Sequence, residues 1–162
     1  MEQALRRAAR GLQEGAMPIG AVLAWDGEPI AEAHWRGIGH GLLNHPEHVV
    51  LIAADTRVQP GQRGRCTLYT TLEPCLMCMG TAMSFGVGRI VYALAAPADG
   101  AADVAAQWKP PRGHPANGIP YSLPVIDRGV GESDARLLIE NWLDTGVSGA
   151  EAEFARRTLA AG

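Results

Sequence analysis

Residues 46–57 and 75–84 both read as helices that have almost no polar face. Val49, Val50, Leu51, Ile52, Ala53 and Ala54 follow one another without a polar residue. A helix that is apolar all round has to be covered. The run is far too short to cross a bilayer. Each helix is flanked by short segments with strand character, so the cover is a sheet with helices laid on it. Strands alternating with buried helices point to one α/β domain.

Residues 2–14 carry Leu5, Ala8, Ala9 and Leu12 at helical spacing and end at Gly15. Strands are predicted at 19–25 and 28–34, joined by Asp26-Gly27, a strong hairpin turn signal. The Gly-rich stretch 37–44 reads as a loop. Pro46 then suits the first position of a helix, where a missing N–H costs nothing. Further strands are expected at 66–70, 89–95 and 123–126, and amphipathic helices at 132–145 and 150–160. Residues 97–121 read as one long irregular connection, and connections of that length are often functional. The 162 residues suit one domain.

A formal net charge of -3 gives no overall basic footprint for nucleic acid. The N-terminus is acidic at its second residue and lacks an apolar stretch, so it does not read as a secretory signal. A cytoplasmic protein is the expectation, with no membrane span. Three cysteines are too few and too uneven for a disulfide framework, and two of them form a Cys-x-x-Cys pair. Cys66 starts a strand and reads as a small buried filler.

The chemistry-bearing candidates are His45, Glu47, Cys75 and Cys78. Zinc takes nitrogen and thiolate ligands tetrahedrally, and a catalytic site keeps its fourth position for water. Cys75 and Cys78 at the start of one helix present both sulfurs on one face, where free N–H groups favour thiolate. His45 opens another helix, and Glu47 lies in the same first turn, beside the metal rather than on it. Taken singly, His-x-Glu is common at solvated helix starts, and Cys-x-x-Cys also fits redox chemistry or coincidence. In order along the chain they form His-x-Glu…Pro-Cys-x-x-Cys, the signature of zinc deaminases.

On these residues, and on the stretches MPIGAVLAWDGEPIAEAHWR, HPEHVVLIAA and TLYTTLEPCLMCMGTAMSFGVGRIVYAL, the sequence resembles the cytidine deaminase-like superfamily. The likeness is greatest to its branch of tRNA adenosine, guanine and cytosine deaminases, and a weaker likeness runs on through LPVIDRGVGESDARLLIENWL. The resemblance implies Zn2+ on His45, Cys75 and Cys78, with Glu47 as the proton shuttle. It also implies a three-layer α/β/α sandwich around a five-stranded mixed sheet, and a homodimer.

Departures from that pattern bear on the substrate. Trp35 stands where many relatives carry an Asn that bonds the base or sugar, and an indole cannot accept as an amide does. Pro46 replaces the usual Ala, and Glu140-Asn141-Trp142-Leu143-Asp144 replaces an aromatic-basic segment. The expected substrate is therefore a small purine or pyrimidine base, nucleoside or related heterocycle, with tRNA adenosine as the alternative. Trp35, His48 and His114 are the candidate substrate contacts. Trp35 and Trp108 can stack on a planar ring or simply pack. Met77, Met79 and Met83 read as core. Three rivals remain: a structural zinc module, which needs a fourth protein ligand, a redox protein, which leaves His45 and Glu47 unexplained, and an inactive deaminase fold, against which Glu47 counts.

Overall fold

A computed structural model describes residues 1–109 and 121–160. The helices are α1 (Glu2–Gln13), α2 (Pro46–Asp55), α3 (Leu76–Phe85), α4 (Ala102–Gln107), α5 (Glu132–Asp144) and α6 (Ala150–Ala160). The strands are β1 (Gly20–Trp25), β2 (Glu28–His34), β3 (Cys66–Leu72), β4 (Arg89–Leu94) and β5 (Val125–Asp127). They form one sheet in the order β2-β1-β3-β4-β5. β1 runs antiparallel to both β2 and β3, whereas β3, β4 and β5 are parallel. The sheet is thus mixed and lies between two helical layers, the expected sandwich. No helix among the described residues is long and apolar enough to cross a membrane.

The turn at Asp26-Gly27 has positive φ at both residues, 52° and 87°, which is the backbone that a two-residue hairpin demands. Alternation along the strands then feeds two cores. Leu23, Leu68, Ile90 and Tyr92 point to the layer of α2 and α3, where they meet Val50, Leu51 and Met79. Ala93 lies in the second core with Ile139, Trp142, Ala152 and Ala155 of α5 and α6.

Three elements differ from the sequence reading. α1 turns Ala4, Ala8 and Gly11 inward, while Leu5 and Leu12 are only partly buried against the second core. Small residues face β1 because the helix backbone rides directly on the strand. The connection 97–121 is not irregular throughout, since it contains α4 at Ala102–Gln107. α2 and α3 are covered on one side only: Ile52 is 60% exposed and Leu76 66% exposed. Their lack of a polar face therefore reflects an open apolar surface as well as a core contact.

Gly20 marks the point where α1 and β1 meet. A Cβ there would lie 2.2 Å from the Ala4 carbonyl oxygen and 2.5 Å from the Ala8 nitrogen, both backbone atoms that cannot turn aside. Gly20→Ala is therefore expected to lower stability by about 2–3 kcal/mol through overpacking. Gly61→Ala, which meets nothing within 4 Å, is the control and should leave the denaturant midpoint unchanged. Equal midpoints for the two variants would contradict the close approach of α1.

Candidate active site

Three chain segments converge at one edge of the sheet. β3 ends at Leu72, and Glu73 and Pro74 lead to Cys75, the N-cap of α3. His45 is the N-cap of α2, with Pro46 at the first helical position. Neither helix is capped by a side-chain oxygen. The imidazole and both thiols are turned to one another instead. Nδ1 of His45 lies 3.6 Å from Sγ of Cys75. One ligand atom from each of His45, Cys75 and Cys78 lies within 4.8 Å of the others. Among the described residues this is the one group of His, Cys, Asp or Glu side chains so arranged.

The donor set fits zinc. It offers one nitrogen and two sulfurs, which leaves one tetrahedral position for water. The electrostatics call for a cation too. The hydrogen bond from Cys78 holds the Cys75 thiol down to about 4. The hydrogen bond to Cys75, with burial, pushes the Cys78 thiol up. Two sulfurs beside a buried carboxylate form a site that a divalent cation would complete, holding both as thiolates. The hydrogen bond with Cys75 raises His45.

Glu47 stands next to this group and is almost fully buried. Its Oε1 accepts a hydrogen bond from the Thr70 hydroxyl at 2.5 Å, and Cys78 Sγ donates to Oε2 at 3.6 Å. Burial pushes the carboxyl up from its ordinary value, and Thr70 opposes that shift. A carboxyl whose proton affinity is raised by burial is suited to general acid–base work. Sequence reading missed Thr70. Its signal is position alone: it sits on β3, two residues before the strand ends, on the side facing α2.

The group opens into a cavity of about 220 Å³. Met17, Ile19, Trp35, Ile38 and Leu72 supply apolar walls, and Asp99, Glu151 and Phe154 supply the rest of the rim. Glu73 also lines it, but its carboxylate is engaged, accepting from the Ala96 and Ala102 backbone N–H groups at 3.0 and 2.9 Å. Those bonds fix the 96–102 turn beside Cys75. Asp99, Glu151 and Phe154 had no local sequence signal, because their approach to the site depends on long-range packing.

The candidate contacts are distributed unequally. Trp35 is in the cavity wall, its ring edge-on to His45. His48 does not line the cavity. One step along the helix turns it away from Glu47, and its Nδ1 lies 2.9 Å from the Leu43 carbonyl oxygen, on the neighbouring loop. His114 lies outside the described residues. Trp108 packs against the core of α2 and α3 and on Tyr121, and Cys66 is buried as expected.

Residues 1–94 match the family described as the cytidine and deoxycytidylate deaminase zinc-binding region. The chain belongs to that family. Zinc is accordingly its cofactor, in agreement with the His/Cys/Cys donor set. This deaminase-family chain is 36% identical over 101 residues to a tRNA-specific adenosine deaminase of Bacillus subtilis (strain 168), covering 62% of this chain and 63% of that one. It thus spans somewhat less than two thirds of that relative. A solved structure from work on A-to-I editing by tRNA:A34 deaminases is 30% identical, with a TM-score of 0.67 over 85% of this chain and 96% of the other. A bifunctional diaminohydroxyphosphoribosylaminopyrimidine deaminase and 5-amino-6-(5-phosphoribosylamino)uracil reductase from Thermotoga maritima is 25% identical, with a TM-score of 0.66 over 88% of this chain and 39% of that one.

Cys75→Ala and Cys78→Ala are each expected to abolish stoichiometric zinc and to lower thermal stability, because metal binding is coupled to folding. Metal analysis of the purified variants checks this. One zinc per chain in either variant would remove that cysteine from the ligand set.

Proposed function

We propose that this chain is a zinc-dependent hydrolytic deaminase that replaces the exocyclic amino group of a nitrogen heterocycle by oxygen and releases ammonia. The observation that carries the reading is the buried Glu47 carboxylate, fixed by Thr70 beside the His45, Cys75 and Cys78 cluster at the floor of a cavity. In this reading His45, Cys75 and Cys78 hold the ion. Zinc, when bound, supplies a Lewis acid that brings the pKa of a water to roughly 7. Glu47 takes the proton from the attacking water and gives it to the ring nitrogen. It then carries the second proton to the amino group, so that the C–N bond breaks with neutral ammonia leaving. Thr70 keeps one carboxylate oxygen fixed while the other works. The apolar walls hold the ring flat and exclude bulk water. Three free cysteines and thiolate ligands suit a reducing compartment, so we place the protein in the cytoplasm.

Similarity to tRNA-specific adenosine deaminases supports adenosine in tRNA as the substrate, in preference to the small heterocycle expected from the sequence. The cavity volume is consistent with this, being below the roughly 300–1,000 Å³ of sites for drug-sized ligands and suited to one base with its sugar and phosphate outside. Alternate residues of one loop serve the two regions. Trp35, Ile38 and His45 line the cavity, while His34, Arg36, His40 and Asn44 line a trough with Arg7, which pairs with Glu32 there. Arg36 suits a phosphate contact. One observation favours the small heterocycle as a second reading: among the described residues the cavity lining includes Asp99 and Glu151 and no Lys or Arg.

Glu47→Ala is expected to keep one zinc per chain and lose turnover by roughly 10²–10⁴-fold, the range for general acid–base catalysis. Ammonia release is measured on tRNA with adenosine in the anticodon loop, and on free bases, nucleosides, pterins and triazines. A variant with a tenth of wild-type turnover on its best substrate would remove Glu47 from the mechanism. Release from tRNA supports the first reading, and release only from free heterocycles supports the second.

A homodimer is part of the same proposal. Ile52 and Leu76 lie exposed on the outer faces of α2 and α3, beside a broad groove lined by Leu51, Met77 and Gly80. A second copy covers that apolar surface, and stable interfaces need about 800 Å² per partner. Sedimentation equilibrium is expected to give a dimer for the wild type and a monomer for the Ile52→Glu, Leu76→Glu double variant. A monomeric wild type, or a dimer in both, would overturn this assignment.

A further inference from the structure

The sequence reading treats Trp35 as a substrate contact. Its surroundings assign it a different task. Trp35 directly follows β2, and its main-chain N–H donates to the Ile19 carbonyl at 2.8 Å. The side chain is 7% exposed. Its ring meets the His45 imidazole edge-on, with centroids 5.3 Å apart and planes at 78°. The indole N–H donates to Oε1 of Glu151 at 2.5 Å. A buried indole needs an acceptor for that N–H, and a carboxylate makes the bond charge-assisted and strong. Glu151 is 116 residues further along the chain, in the first turn of α6. α6 itself is seated by Ala152 and Ala155, which are fully buried in the same core as Trp35.

These contacts form a chain from α6 to the zinc ligand. His45 points Nδ1 at Cys75, so the ring has to keep one of its two faces of rotation. The indole packs at a near right angle on that ring, which restricts its rotation, and the bond to Glu151 holds the indole in place. Outer-shell partners of this kind fix the orientation of a ligating imidazole.

We propose that Glu151 is a positioning residue for the metal centre, holding Trp35 against His45 so that docking of α6 contributes to zinc affinity. The proposal rests on His45 being a zinc ligand. A plain helix-start role for Glu151, in which the acid only complements the dipole of α6, would not involve Trp35 at all.

The test is the zinc dissociation constant of the purified full chain, measured by competition with a chelator of known affinity, with the visible spectrum of the Co2+-substituted protein as a second readout. Glu151→Ala is expected to weaken zinc binding by roughly 10–100-fold, the range for loss of an outer-shell partner, and to change the Co2+ spectrum. Glu151→Gln keeps an accepting oxygen and is expected to stay close to the wild type in both. Trp35→Phe removes the N–H from the other end and is expected to weaken binding by itself. In that background Glu151→Ala should add nothing, since the two act through one bond. Zinc affinity unchanged in Glu151→Ala, or an equal further loss in the Trp35→Phe background, overturns the proposal. Should Glu151→Ala fail to fold, Trp35→Phe against Glu151→Gln decides: affinity equal to the wild type in Trp35→Phe overturns it. A wild type that holds no zinc at all would instead refute the ligand assignment.

Discussion

A carboxylate buried between α2 and β3 sets the terms for the whole site. Placing an ionisable group out of water is costly unless it is hydrogen-bonded and paired. Glu47 has Thr70 on one oxygen and Cys78 on the other. Both partners depend on the same piece of architecture. Thr70 is on β3, and Cys78 is in the first turn of the helix that β3 leads into. The parallel pairing of β3 with β4 requires a crossover between them, and α3 is that crossover. Its N-terminus consequently lies at the carboxyl end of the sheet, where α/β folds gather their functional groups. The acid, its hydroxyl partner and two thiols are brought together by one β–α–β unit, with α2 laid alongside it.

Much of this was legible because the signals are local. Cys75 and Cys78 are placed together by helical spacing, and His45-Pro46 states where a helix begins. Asp26-Gly27 states a hairpin whose positive φ angles the structure has. What escaped was information carried by packing. Residues 102–107, half of them Ala, form α4 although they carry neither an amphipathic stripe nor a capping residue. The apolar run in α2 was read as wholly buried, yet Ile52 faces outward, because a sequence does not distinguish a core contact from a surface awaiting a partner. Glu47 was found from its motif, but Thr70, which fixes it, belongs to no spacing rule.

Trp35 is where local and long-range information meet. From the sequence alone it is an aromatic residue standing where relatives have a hydrogen-bonding amide, which suggested a role in substrate choice. The structure adds that an indole at this position brings its own requirement. Its N–H is buried and has to be satisfied, and no group near it in sequence does so. The acceptor is Glu151, in the last helix. The indole therefore links a position within the family-matched region 1–94 to a helix beyond it.

That link divides the site into two parts with different origins. Residues matching the zinc-binding family end at 94, and they include His45, Glu47, Thr70, Cys75 and Cys78. The residues proposed for proton transfer and metal binding therefore all lie in the shared part. Most of the cavity wall, Met17, Ile19, Trp35, Ile38 and Leu72, lies in the same part, while Asp99 and Glu151 and Phe154 of α6 line it from beyond that limit. In the proposed reading a ring in the cavity would sit against Glu47 on one side and could meet Asp99, Glu151 and Phe154 on another. The separation is incomplete in this chain: Glu151 lies beyond residue 94, yet it bonds Trp35, whose ring packs on His45, so α6 and the residues of the metal centre are joined by direct contacts.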